Sequence, residues 1–232
     1  MGASAAERRE ELIALYREVQ ACQKCPLHAS RTNVVFGSGN ADADLMFVGE
    51  APGFHEDKQG KPFVGQAGKL LDKLLAEIGM TRKEVFIANV LKCRPPGNRD
   101  PQPAEIEACE GHLVRQVELI QPRVICSLGN FATKLLSGRP EGITKVHGVP
   151  QVREIAGRSQ FLYPIFHPAA ALYTPAMMER LREDFKALPG LLSQQAPGSE
   201  PEQPEPAAES AAPAAELVAA GPHAERDQLG LF

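Results

Sequence analysis

A chain of 232 residues with 43% hydrophobic content suffices for one α/β domain of ordinary size plus an appendage. No apolar run approaches the ~18 residues of a membrane span, and the charged N-terminus MGASAAERREELIALY lacks the apolar stretch of a signal peptide, so a cytoplasmic location without membrane attachment is expected. The net charge of −4 is uneven: residues 194–232 hold seven acids against Arg226, which leaves residues 1–193 at +2 and permits nucleic-acid binding.

Taken in order, residues 5–20 predict a helix with Leu12, Ile13, Leu15, Tyr16 and Val19 on one side. Pro26 stops it from continuing past Cys22-Gln23-Lys24-Cys25. Residues 31–40 read as a polar loop around Val34-Val35-Phe36-Gly37. Leu45-Met46-Phe47-Val48 is the short apolar run of a buried parallel strand. It breaks at Gly49-Glu50-Ala51-Pro52-Gly53, turns at Gly60, and closes on Pro62-Phe63-Val64-Gly65. A helix follows over 68–78, with Leu70, Leu71, Leu74, Leu75 and Ile78 as its stripe and Gly79 as C-cap. A second strand over 85–88 closes on Asn89, and an irregular Pro/Arg-rich loop runs to Pro101. Pro103 opens a helix reaching about Ile120, with Glu105 in its first turn where the dipole favours acid. A third strand ends at Gly129, a helix covers 131–136, and residues 138–150 form a basic loop. Two more strands near 151–155 and 161–166 end at His167-Pro168, and a last helix fits 176–188. Alternating strands and helices predict a three-layer α/β/α fold around a mainly parallel sheet of four to five strands.

Five cysteines in a chain without a leader argue against a disulfide framework. Cys22-x2-Cys25 has knuckle spacing, and Cys93 and Cys109 supply a second pair. Four thiolates suit either tetrahedral zinc or an iron–sulfur cluster, and spacing does not separate the two. Such a site clips the long loop after the second strand to the N-terminal segment, a structural role preferred over electron transfer. Cys126, within an apolar strand, reads as a buried small hydrophobe.

Strand ends collect polar or flexible groups at one face: residues 49–53, Asn89, Gly129 and His167. In open α/β sheets ligands bind there. Asn offers an acceptor and a donor pair to a planar amide edge. His can donate to an oxygen that becomes negative, and Phe63 can stack on a ring. Together these predict a pocket for a planar heterocycle.

GEAPG at 49–53, PFVG at 62–65, NVLKCRPP at 89–96 and HPAA at 167–170, with the four cysteines, closely resemble the type-4, iron–sulfur-containing uracil-DNA glycosylases of bacteria and archaea. The resemblance spans Cys22 to Leu188. It implies a 4Fe–4S cluster on Cys22, Cys25, Cys93 and Cys109, and excision of uracil from DNA with an abasic site as product. Backbone at Glu50, Ala51 and Pro52 would contact the base, Phe63 would stack on it, Asn89 would read its O4/N3 edge, and His167 would hydrogen-bond O2. Related glycosylases of another family carry Asp where Ala51 stands, so Glu50, Glu56 and Asp57 are the candidates for polarising water. The chain also departs from the type-4 pattern at His147, where Arg is usual, and at Ala171, where Leu is frequent; Leu172 or Tyr173 then becomes the candidate to fill the gap left by a flipped base. The alternative reading is a non-enzymatic, metal-clipped DNA-binding protein.

From residue 194 the composition shifts to Pro, Ala, Glu and Ser, a disordered linker by composition over 194–227. The glycosylase domain is thus expected over 1–193. The terminal Gln228-Leu229-Gly230-Leu231-Phe232 resembles the bacterial sliding-clamp-binding pentapeptide, with Gln228, Leu229, Leu231 and Phe232 as contacts on a tether. A monomer acting at the nucleoid is expected.

Overall fold

The computed structural model describes residues 3–195. The expected linker beyond them and the pentapeptide at 228–232 lie outside the described residues. Helix α1 (Ala5–Gln20) starts at a capping box, where Ser4 and Glu7 exchange hydrogen bonds. The sheet has six strands: β1 (Ser38–Gly39), β2 (Leu45–Gly49), β3 (Phe86–Asn89), β4 (Val124–Leu128), β5 (Gln151–Ile155) and β6 (Arg158–Ile165), in the spatial order β1-β3-β2-β4-β6-β5. The four central strands are parallel and the two edges antiparallel. Edge strand β1 is the one addition to the expected four to five, and edge strand β5 falls where a strand was expected.

Parallel strands covered on both faces are apolar throughout. Along β2, Leu45 and Phe47 enter one core and Met46 and Val48 the other. Helices α3 (Gln66–Glu77) and α8 (Pro175–Leu192) cover the first face, with short α7 (Pro168–Ala171) beside them. On the second lie α1, α4 (Pro103–Ile120) and α5 (Asn130–Ser137). The loops leaving β2 therefore go to one face and those leaving β3 and β4 to the other. This reversal opens a crevice at the carboxyl ends of the strands. No helix among the described residues is long and apolar enough to cross a membrane.

Three local expectations change. Val34, Val35 and Phe36 are buried, not loop-exposed: the Val35 N–H donates to the Lys92 carbonyl at 2.8 Å, and Phe36 meets the Tyr16 ring edge-on at 5.5 Å. Six residues after the GEAPG loop coil into α2 (Phe54–Gln59), which ends on Gly60 in the left-handed region at φ 67°. A single turn, α6 (Ile143–Val146), forms inside the basic loop. Each element is too short to leave a periodic signal, and the burial of residues 34–36 comes from partners distant in sequence.

Candidate active site

Glu50, Ala51, Pro52, Phe63, Asn89 and His167, drawn from three strand ends and one turn, line a single cavity of about 320 Å³. Glu56, Pro95, Asn98 and Arg99 complete its rim. That volume falls in the range of small-ligand pockets. All six positions singled out for base contact thus converge.

Gly49 makes the convergence possible. A Cβ there would meet the Asn89 side-chain oxygen at 2.4 Å and the Phe63 ring at 2.7 Å. Asn89 is only 2% exposed, and its Oδ1 is buried without a hydrogen-bond partner. Leaving such an acceptor unpaired costs about 1–3 kcal/mol, a cost that a ligand N–H would remove.

Phe63 sits at φ 53°, where a non-glycine residue is strained. Arg82 holds it there, donating to the Pro62 carbonyl at 3.1 Å, to the Gly68 carbonyl at 3.3 Å and to the Phe63 carbonyl. At Gly68, too, only glycine fits, because a Cβ would lie 1.7 Å from the Phe63 oxygen. The Phe63 ring then packs on the His167 ring, centroids 5.5 Å apart and planes 28° from parallel.

His167 caps α7. The Ala169 N–H donates to its Nδ1 at 3.1 Å, so the ring proton resides on Nε2. Burial pushes its pKa down to about 4, against a small opposing pull from Glu56. The ring is neutral at pH 7 and retains one donor. An unfolded histidine titrates near ~6.5, so between that value and about 4 the unfolded chain binds the extra proton. Stability from this group is fully present above pH ~6.5 and is lost as pH falls towards about 4. In a histidine NMR titration the His167 ring resonance is expected to stay flat from about pH 8 to about pH 5. A midpoint near 6.5 would show that the ring is not held in this way.

The three carboxylates differ. Asp57 is buried and points away: its Oδ1 accepts from the N–H groups of Thr32 at 2.9 Å and Asn33 at 3.4 Å, tying α2 to that loop. Glu56 accepts from the N–H groups of Val64 and Gly65, both at 2.9 Å, and anchors the PFVG turn. Glu50 faces the cavity, with its pKa raised by burial and by the charge of Asp100. Of the three, Glu50 is the one without a structural hydrogen-bonding duty among the described residues.

Cys22, Cys25, Cys93 and Cys109 line one chamber behind the site. Hydrogen-bonding groups approach three of the sulfurs at 3.4 Å: Arg31 Nη1 donates to Cys93, the Lys92 N–H donates to Cys109, and His112 Nε2 lies against Cys22. Burial pushes the Cys93 and Cys109 thiols up, and the neighbouring cysteines add to the effect. Among the described residues no three His, Cys, Asp or Glu side chains converge on the position of one ion. Cys126 is fully buried in the opposite core, as its strand context implied.

Lys92 links chamber and cavity and was not singled out from sequence. It is 1% exposed; its ammonium donates to the Asn89 carbonyl at 2.7 Å and to Gln116 Oε1 at 2.6 Å. Arg82, Arg31 and His112 also escaped: in sequence a polar side chain looks the same whether it faces solvent, a carbonyl or a sulfur.

His147 Nδ1 lies 3.3 Å from Oδ2 of buried Asp184, and its ring lies 4.3 Å from that of Phe166, beside His167. Ala171 is buried, Leu172 half-buried and Tyr173 is 89% exposed, so Tyr173 is the side chain that projects.

Residues 36–188 match the family model for the uracil DNA glycosylase superfamily. The chain is similar to the type-4 uracil-DNA glycosylase of Archaeoglobus fulgidus, 47% identical over 81% of this chain and 96% of the relative. It is 49% identical to that of Saccharolobus solfataricus over 79% and 88% of the two chains. Against the Thermotoga maritima protein of the same name it is 49% identical over 71% and 85%.

Proposed function

The chain belongs to the uracil DNA glycosylase superfamily, among its type-4 members, and we propose that it flips uracil out of DNA into the cavity and hydrolyses the N-glycosidic bond. The observation that carries this reading is the buried, partnerless Asn89 Oδ1 in the same cavity as an Nε2-protonated His167.

In this mechanism Asn89 accepts from uracil N3–H and donates to O4, while Phe63 and the backbone of residues 50–52 fix the ring. The C1′–N1 bond breaks and its electron pair leaves with the base. The His167 Nε2–H donates to O2 as that oxygen gains negative charge, a neutral donor preorganised for the transition state. Water forms the new bond to C1′ and releases its proton to solvent or to the departing base. Glu50 orients that water. Free uracil and an abasic site result.

Cys22, Cys25, Cys93 and Cys109 would hold a 4Fe–4S cluster, and the groups directed at three of their sulfurs are what such thiolates need. When bound, the cluster serves as an inert clip for the loop after β3. We assign the glycosylase domain to residues 1–193, acting as a monomer at the nucleoid.

A uracil-containing oligonucleotide should be cut at the uracil after alkali, and its thymine counterpart should not. Absence of abasic product from cluster-loaded protein would leave DNA binding without chemistry as the surviving reading. We also assign residues 228–232 to sliding-clamp binding through a tether at 194–227. Deleting 228–232 should leave excision from short oligonucleotides unchanged and abolish clamp pull-down; persistent pull-down would refute the assignment.

A further inference from the structure

Phe54 opens α2 immediately after Gly53, yet its ring remains 44% exposed. It is not bare. Lys58 Nζ lies 4.5 Å from the ring centroid, the Arg94 guanidinium carbon 5.2 Å, and the His55 ring meets it edge-on at 5.4 Å. Arg94 is steadied by a 2.6 Å bond to Asn98 Oδ1. No carboxylate pairs with Lys58 or Arg94 among the described residues, and the acids of α2, Glu56 and Asp57, are engaged elsewhere.

The position matters as much as the composition. Gly53 and Glu56 line one side of the cavity, and Pro95, Asn98 and Arg99 another. The Phe54–Arg94 contact therefore joins the two rims outside the mouth. Both cations lie over the ring, so a base that stacks on it takes the place of one of them and frees that cation for phosphate; an aromatic ring grouped with cations in this way is how proteins hold single-stranded nucleic acid.

We propose that Phe54, Lys58 and Arg94 form a second DNA contact, in which the nucleobase next to the flipped uracil on the same strand stacks on Phe54 and its flanking phosphates meet Lys58 and Arg94. This rests on the glycosylase reading for its register, but the contact itself is read by binding alone. A stacked flanking base must be unpaired, so the contact favours single-stranded over duplex substrate.

The test uses single-stranded oligonucleotides with 2-aminopurine on either side of the uracil. Wild-type protein should quench the fluorophore on one side; Phe54→Ala should lose that quench and bind about tenfold more weakly, whereas Phe54→Trp should retain both. Inhibition by free uracil, which reports the cavity, should not change in Phe54→Ala. Lys58→Gln and Arg94→Gln should each lower the slope of log affinity against log salt by about 0.7, one single-strand phosphate. Unchanged affinity and quench in Phe54→Ala, with wild type excising uracil, would overturn the platform and leave the glycosylase reading standing. Loss of excision in wild type, with quench and affinity still dependent on Phe54, would do the reverse.

Discussion

Replacing Asn89 with alanine is expected to lower kcat/KM for uracil excision by about 10²–10³-fold while leaving the fold as stable as before or more so. The kinetic figure follows from deleting one preorganised hydrogen-bonding group that meets a leaving group gaining charge. The stability expectation follows from a different fact. Asn89 Oδ1 is buried and partnerless in the free protein, so the substitution removes a desolvation penalty of about 1–3 kcal/mol and sets against it only a small void beside an existing cavity. A residue that costs stability and supports activity belongs to a binding site rather than to a core. Steady-state kinetics and thermal melts on one preparation decide it. A large drop in melting temperature with activity lost in proportion would instead make Asn89 a scaffold residue.

Replacing Cys109 with alanine should remove the brown colour of the loaded protein and lower its melting temperature by roughly 10 °C, corresponding to about 3–5 kcal/mol for a lost cluster ligand. Cys109 lies on α4, and its sulfur receives the N–H of Lys92 from the loop after β3. Without the clip, Lys92 loses its register, and with it the 2.7 Å support of the Asn89 carbonyl, so excision should fall as well. Cys126→Ala is the control: that thiol sits in the opposite core, and the change should retain the colour at the cost of a small cavity, about 1 kcal/mol. Full colour and unchanged melting in Cys109→Ala would place the cluster, or its role, elsewhere.

Much of the fold is legible in the sequence itself. The continuous apolar runs at Leu45–Val48 and from Val124, the apolar stripe of α3 and the Pro103 start of α4 predicted elements that the structure contains within a residue or two, because fully buried strands are apolar throughout and a long amphipathic helix repeats its pattern. The strand-end positions of Asn89 and His167 were readable for the same reason. Edge strand β1 and helix α2 were not, since two and six residues are too few for a period.

Chain chemistry alone determined the kinds of groups on offer: four paired thiols, an amide and an imidazole at strand ends, and a phenyl ring after a Gly-Lys-Pro turn. Tertiary packing decided what state each is in. It gave Asp57 and Glu56 backbone donors, left Glu50 facing the cavity without a side-chain hydrogen bond among the described residues, and put the His167 proton on Nε2. It also directed the Lys92 ammonium inward onto the Asn89 carbonyl. Residue type sets which hydrogen bonds and charges are possible, whereas only the burial and partners supplied by distant segments select which of them form.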